Sequence, residues 1–469
     1  MGDKEITAKS FGRVYTPTYL VEIILDFVGY RLDILQKHII DNSCGDGAFL
    51  VTAVERYCEA FFQSSSDKVR LKEELETYIH GIEIDCKECA LCKQNLDKVA
   101  LRFHVSDVDW DVVCANTLTQ KQFNGRMDFV VGNPPYVRVH NLEDTYEMVK
   151  AFSFAQGGMT DLFIVFFEIG FQMLSAIGRM CIITPSSWLT SGAGKVLRDY
   201  ICRHHNLSGV VDLGHYQAFD ATTYTLISRY DRVVHNAIDY LTFDGQLHPH
   251  GTLNYSDFNI NNSFYLSDKA QLHVLFEIQT SLNIGYAKVK NGFATLADNV
   301  FIGDFSFSNF TIDILKASTG KWQKCVFPYD NQGKPLSEAV INGSEAYSYL
   351  LSKKERLLHG RDIEAGKPWF LFGRTQALND VGKNKIAINT IIKDLDSIKL
   401  NVVPAGKGVY SGLYILTELD FHVVRRIILS EDFLQYIKSL KKYKSGGYYT
   451  FSSKDLELFI NYQIQNKND

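Results

Sequence analysis

Two prolines stand side by side in Asn133-Pro134-Pro135-Tyr136, in a chain that has nine prolines in 469 residues. Each fixes its own φ and restricts the residue before it, so Asn133 is held extended after the apolar run of residues 127–132. The Asn133 side-chain oxygen and the neighbouring Pro134 carbonyl then form a fixed pair of acceptors. Such a pair can grip an exocyclic amino group, and Tyr136 can stack on the ring that carries it. The plainer reading is a Pro-rich turn leaving a strand. The aromatic at the fourth position, at the end of the fourth β run, favours the chemical one.

Two further strand ends carry small or acidic residues. Asp41-Asn42-Ser43-Cys44-Gly45-Asp46-Gly47 follows a short apolar run. Its small residues let the backbone bend sharply at a strand's carboxyl end, so that a ligand can lie against it. Ordinary loops also look like this. A second run, residues 78–85, ends in Glu83 and Asp85, either of which could serve a ligand or simply face water.

The elements that position these groups follow from periodicity. Residues 12–30 read as a turn and an amphipathic helix with Pro17 at its start. Short β runs at 38–41, 78–85, 112–116 and 127–132 alternate with helical patterns at 48–62 and after Asp85. Residues 63–76 read as a charged connecting segment, and 137–160 as a mobile loop. Further on come a helix from Asp161, a strand at 179–185, a helix at 195–204 and β runs at 208–214, 224–230 and 237–243. This alternation predicts a parallel sheet with helices on both faces. Residues 246–290, rich in Asn, Ser and His, read as a linker between a catalytic domain, 1–245, and a second α+β domain, 291–469. The latter mixes short β runs (369–373, 385–389, 412–416) with helices at 420–429 and 431–440.

Composition bounds the classes. With 46% hydrophobic and 22% charged residues the chain is composed like a folded protein, which excludes wholesale disorder. The most apolar stretch, Leu162 to Leu174, contains Glu168 and falls short of the ~20 residues of a membrane helix, so no membrane partner is expected. The N-terminus lacks an apolar signal core. Nine cysteines, an odd number, point to reduced thiols and a cytoplasmic location in a prokaryote. Net charge is −5, yet residues 291–469 carry 23 Lys and Arg against 19 Asp and Glu. A mildly basic C-terminal half permits a polyanion partner without requiring one.

Taken in order, these motifs resemble the N6-adenine DNA methyltransferases of the γ group, the modification enzymes of type II restriction–modification systems. The similarity covers residues 11–230 well and 290–469 more weakly. It implies a Rossmann-like S-adenosylmethionine-dependent methyltransferase sheet with a separate C-terminal target-recognition domain. It also implies methyl transfer from S-adenosylmethionine to a flipped adenine in duplex DNA. Asn133, Pro134 and Tyr136 would be catalytic, and Tyr136 would also stack on the base. Thr16, in Gly12-Arg13-Val14-Tyr15-Thr16-Pro17, matches the motif that closes over the methionine end. Asp41 would receive the ammonium, Asn42, Ser43, Cys44, Gly45 and Pro135 would line the cofactor, and Glu83 rather than Asp85 would take the ribose hydroxyls. Asn116 departs from the family's usual Asp, but its oxygen can accept the same hydrogen bond from the cofactor's adenine.

Phe219, in residues 210–227, resembles the aromatic that packs beneath the extruded base, with a core role as the alternative. Arg361 and Arg374 lie in patterns resembling those of family recognition domains. Lys441, Lys442 and Lys444, among glycines and tyrosines, could contact phosphates or only water. Cys86, Cys89 and Cys92 are spaced like metal ligands but would lie along one helix with no fourth ligand, and a structural role is favoured. No metal is expected.

Other readings stay open. Another amino-group methyltransferase, acting on cytosine N4, RNA or protein glutamine, could carry the same tetrapeptide, and a non-catalytic DNA-binding specificity subunit could keep the fold. The chain begins about ten residues before the first motif, which leaves no room for a nuclease upstream. A separately encoded restriction endonuclease is expected by analogy, and the enzyme is expected to be a monomer.

Overall fold

Residues 15–139, 146–156, 160–219, 223–282, 285–359 and 367–468 are described by a computed structural model. The chain divides into two units, Met1–Leu272 and His273–Asp469. The first begins with α1 (Thr18–Val28), β1 (Ile39–Asp41), α2 (Ala48–Phe62), α3 (Lys68–Tyr78), β2 (Ile79–Glu83) and α4 (Cys86–Arg102). Next come β3 (Asp111–Cys114), β4 (Met127–Gly132), α5 (Tyr146–Lys150), α6 (Leu162–Met173), β5 (Leu174–Pro185) and α7 (Lys195–His204). The strands β6 (Leu207–Asp212), β7 (Thr225–Asp231), β8 (Ala237–Phe243) and β9 (Leu247–Asn254) complete its sheet.

The nine strands lie in the order β3-β2-β1-β4-β5-β7-β6-β8-β9. The first five are parallel, and β7 enters antiparallel between β5 and β6. Alternation along the strands sends side chains to opposite faces. Val131, Cys181 and Ile183 join a core with α1, α2 and α4. One residue off, Val130 and Met180 meet α6 at Gly170, which leaves no space for a Cβ against the Met180 sulfur. The doubly wound α/β sheet expected from the alternation is thus present, with helices on both faces.

Local signals explain the element ends. Gly29, at positive φ, stops α1 by donating to Asp26 O, while Tyr30 N–H returns to Leu25 O. Pro17 occupies the N-cap of α1, one residue earlier than expected. Residues 63–76 are not a simple connector, because Asp67 caps α3 through the Val69 and Arg70 N–H groups. The run 369–373 is not a strand: Phe370, Leu371 and Phe372 plug the core of the second unit as irregular chain. Residues 246–290 are not a bare linker. They hold β9, a short hairpin and the helix Lys269–Thr280, within which the two units divide.

The described parts of 137–160 are anchored where they leave and rejoin the sheet region. Val139 N–H donates to Thr160 O at 3.1 Å, and the Arg138 and Asp161 main chains pair in an isolated antiparallel β-bridge.

The second unit is α+β. One antiparallel sheet orders Ala287–Asn291, Leu413–Thr417, Lys385–Ile388 and Leu400–Val403. Another contains Ile302–Gly303, Lys321–Val326, Thr311–Lys316 and Gly408–Tyr410, and a small one carries the hairpin Tyr443–Lys444 and Tyr448–Thr450. Among the described residues, no helix is long and apolar enough to cross a membrane.

Candidate active site

From β1 the chain passes outward through β2 and β3, then returns to place β4 on the other side of β1. Such a reversal opens a crevice at the carboxyl ends of the strands, where ligands of doubly wound sheets bind. The tips of β1, β2, β3 and β4 carry the residues singled out above.

Asp41 ends β1 and is 1% exposed. Its Oδ1 accepts the Ser43 N–H at 3.0 Å. Burial pushes its carboxyl up to about 7, with Glu83 and Asp46 adding to the rise and the Ser43 N–H opposing it. Across the gap, a Cβ on Gly132 would sit 2.7 Å from Asp41 Oδ1, so a residue without one lets β4 close on β1 here.

The turn after β1 is braced from below. Cys44 N–H donates to Ile82 O at 3.0 Å, and Gly47 N–H to Cys44 O at 2.8 Å. Gly47 has φ +94°, and a Cβ there would meet Cys92 Sγ at 2.7 Å. At Gly45 the same construction meets nothing within 4 Å, so this side of the turn is open.

Glu83, 9% exposed, accepts the Gly45 N–H on Oε2 and the Asp85 N–H on Oε1, both at 2.9 Å. Asp85 accepts the Lys87 N–H at 2.8 Å and caps α4. The two acids of this strand end therefore have separate tasks, and Glu83 is the one turned to the β1 turn.

At β3, the Asn116 Oδ1 accepts the Leu118 N–H at 3.0 Å, capping the short turn Thr117–Thr119. The Thr117 hydroxyl, buried, donates to Asn42 O at 2.7 Å. Thr117 and Gly132 shape the site without having been singled out, and Cys92, noted only for its cysteine spacing, packs beneath Gly47. Only the glycine ahead of Asn133 left a trace in the sequence.

Asn133 follows Gly132 at the tip of β4. Its Nδ2 donates to Thr16 Oγ1 at 3.2 Å, and its backbone oxygen accepts the Ser43 hydroxyl at 3.4 Å. Pro134 is buried and Pro135 half-buried. The Tyr136 hydroxyl donates to Ile183 O at 3.4 Å, its ring lies edge-on to Phe163, and burial drives its phenol far above the ordinary range. The structure thus gathers Thr16, Asp41, Asn42, Ser43, Cys44, Gly45, Glu83, Asn116 and Asn133 through a linked set of hydrogen bonds and close backbone approaches.

Phe219 is 8% exposed and belongs to the core cluster that includes Leu213 and Phe243. In the second unit, Arg374 is exposed and lines a cavity of about 490 Å³ with Lys334 and Lys367. Lys444 is exposed on the hairpin and Lys441 is half-buried beside it. Lys442 is bound at 2.6 Å to the buried Asp455 carboxylate, so its charge is matched within the unit. Arg361, residues 12–14 and residues 220–222 lie outside the described residues.

Cysteine chemistry departs from expectation. Cys86 and Cys114 form a disulfide, with Cα atoms 5.4 Å apart, while the other seven cysteines are free thiols. The cause is local: Glu83 pairs with Cys114 across β2 and β3, and α4 starts three residues later at Cys86. Among the described residues, no group of three His, Cys, Asp or Glu side chains converges to hold a metal.

Residues 48–219 match the family described as Eco57I restriction-modification methylase. The type II methyltransferase M.BstVI of Geobacillus stearothermophilus is 29% identical over 248 residues, covering 48% of this chain and 44% of that one. The type II restriction enzyme and methyltransferase RM.Eco57I of Escherichia coli is 22% identical over 91% of this chain and 54% of its own. The chain spans about half the length of these curated relatives. The solved structure of the type IIL restriction-modification enzyme MmeI in complex with DNA aligns with 93% of this chain and 65% of its own. Its TM-score is 0.64 at 10% identity, a likeness of fold.

Proposed function

We propose that this chain, whose residues 48–219 match the restriction-modification methylase family, is a site-specific DNA methyltransferase. It transfers a methyl group from S-adenosylmethionine to N6 of an adenine flipped out of duplex DNA. The observation that carries this reading is the placement of Asn133 and Pro134 at the tip of β4, beside the turn that follows β1.

The donor set suits the cofactor. Asp41 is a buried carboxylate raised by burial and by neighbouring acids, and a cationic ammonium would oppose all of those effects. Each Glu83 oxygen accepts one N–H and has a further lone pair for a ribose hydroxyl. Asn116 has the same spare capacity for the adenine amino group, and the open side of Gly45 gives room. Asn42, Ser43, Cys44 and Pro135 complete the lining. When bound, S-adenosylmethionine supplies an electrophilic methyl group on a sulfonium.

The chain's own groups act on the base. The adenine N6 lone pair is conjugated into the ring and is a poor nucleophile. Asn133 Oδ1 and the Pro134 carbonyl accept the two N6 hydrogens, draw the nitrogen towards tetrahedral geometry and direct its lone pair to the electrophilic methyl carbon; as the N–C bond forms the carbon–sulfur bond would break, and the amine gives up one N6 proton to solvent. Catalysis is then mainly positioning and electrostatic stabilisation. Extruding the base costs a few kcal/mol, and stacking by Tyr136, and by Phe219 if it is drawn from the core, offsets part of it.

The second unit serves target recognition, with Arg361, Arg374, Lys441 and Lys444 as phosphate or base contacts. Lys442 is assigned to holding its hairpin. A separately encoded restriction endonuclease, a monomeric state and a bacterial cytoplasm complete the picture. The test is transfer of labelled methyl groups to duplex DNA, followed by digestion to nucleosides. N6-methyladenine is the expected product. N4-methylcytosine, or label only in RNA or protein, overturns the reading.

A further inference from the structure

We propose that Thr16 is a positioning residue: by accepting the Asn133 side-chain N–H, its hydroxyl pins that amide in the rotation that turns Oδ1 away from Thr16, towards the side on which the target amine would lie. This rests on the reading of Asn133 given above.

The two ends of an asparagine amide have nearly the same shape and opposite chemistry. Its χ2 torsion is broad and roughly two-fold. Turned one way, the group offers an acceptor to an exocyclic amine; turned the other way, it sets N–H against N–H. The main-chain contacts named for Asn133 leave this choice open. Pro134 keeps the backbone extended, Ser43 grips the carbonyl oxygen at 3.4 Å, and Gly132 packs on Asp41. None of these touches χ2.

The bond from Nδ2 to Thr16 Oγ1 does. With the amino end accepted by the hydroxyl, Oδ1 faces away from Thr16. Thr16 is fitted for this task because it is itself fixed. It is 8% exposed, and Pro17, which follows it, accepts the Leu20 and Val21 N–H groups at the start of α1. That helix is bound into the core through Leu20, Val21, Ile24 and Leu25. On the other side, the Tyr15 hydroxyl donates to Glu88 at 3.3 Å. A residue 117 positions upstream thereby braces the tip of β4. The family resemblance places Thr16 over the methionine end of the cofactor; the hydrogen bond gives its side chain a second task, on the base side.

The experiment compares wild type, Thr16→Val and Thr16→Ser in the full chain. The single-turnover rate of methyl transfer is measured at saturating cofactor and DNA, and cofactor Kd by calorimetry. In parallel, the Asn133 side-chain amide signal, identified by its loss in Asn133→Ala, is followed by selective ¹⁵N labelling. Thr16→Val is expected to lower the saturated rate on the order of ten- to a hundredfold and to speed exchange of the Asn133 amide protons. Thr16→Ser, which retains the acceptor, is expected to recover most of both. The proposal is overturned if the rate loss disappears at saturating cofactor, if the amide signal exchanges equally in wild type and Thr16→Val, or if Thr16→Ser behaves as Thr16→Val. Failure of the underlying reading is distinct: wild type itself would then form no N6-methyladenine, whatever the amide signal does.

Discussion

Glu83 Oε2 accepts the Gly45 N–H at 2.9 Å, so the carboxylate at the tip of β2 holds the turn that follows β1. Its other oxygen holds the Asp85 N–H at the start of α4. Glu83 thus shapes the cofactor crevice before it contacts anything in it. Replacing it with alanine removes an acceptor from two backbone donors and, under the proposed function, from the ribose as well. Glu83→Ala is expected to weaken S-adenosylmethionine binding by about 1.5–3 kcal/mol, or roughly ten- to a hundredfold. Calorimetry on a variant shown to be folded by circular dichroism checks it.

Asp41 predicts the pH dependence of cofactor binding. Its folded carboxyl is raised by burial to about 7, from an ordinary value of 3.8. Between those limits the free folded protein holds a proton that the unfolded chain has lost, so Asp41 contributes less to stability as pH rises from about 4 to 7. A bound cation favours the carboxylate, so binding below about pH 7 must expel that proton. Cofactor affinity is expected to fall by up to about tenfold per pH unit below 7, with buffer-dependent heats of proton release. Asp41→Asn is expected to flatten the profile and abolish the release.

Gly132 sits where a Cβ would come within 2.7 Å of Asp41 Oδ1. Gly132→Ala is expected to push the tip of β4 away from β1, destabilise the first unit by about 1–3 kcal/mol and lower methyl transfer more than cofactor binding. Urea unfolding alongside single-turnover kinetics separates the two effects.

The Cys86–Cys114 disulfide ties the end of β2 and the start of α4 to the end of β3, next to Glu83 and Asn116. Thiol titration in denaturant without reductant is expected to give seven thiols, and nine after reduction. Nine thiols in the unreduced protein would contradict the bond.

Much of the first unit is legible in the sequence because local pattern and tertiary role agree. The bounds of α2, β4, α7 and β8 coincide with periodic runs whose apolar face is buried. α3 buries only Leu71, Glu74 and Leu75, too narrow a stripe to register against its charges. Its Asp67 cap and the Arg70–Glu74 and Lys72–Glu76 pairs were the available signals. β9 is an edge strand exposed on both faces over most of its length, so it shows no alternation and resembles linker. The run 369–373 is apolar because it fills a core, which a strand and an irregular plug do alike. Asp85 followed by a helical pattern is a cap signal, and it separates that acid from Glu83. By contrast, Thr117 on Asn42, Gly132 on Asp41 and Cys86 on Cys114 join residues from different elements, and only the folded chain brings them together.

Under the proposed function Asn133 acts on the target amine and not on the cofactor. This is tested most directly by Asn133→Ala, with single-turnover transfer to DNA and cofactor Kd measured on the same preparation. Transfer is expected to fall by at least about a hundredfold with S-adenosylmethionine still bound. Transfer at the wild-type rate, or a loss explained wholly by failure to bind the cofactor, would contradict that role.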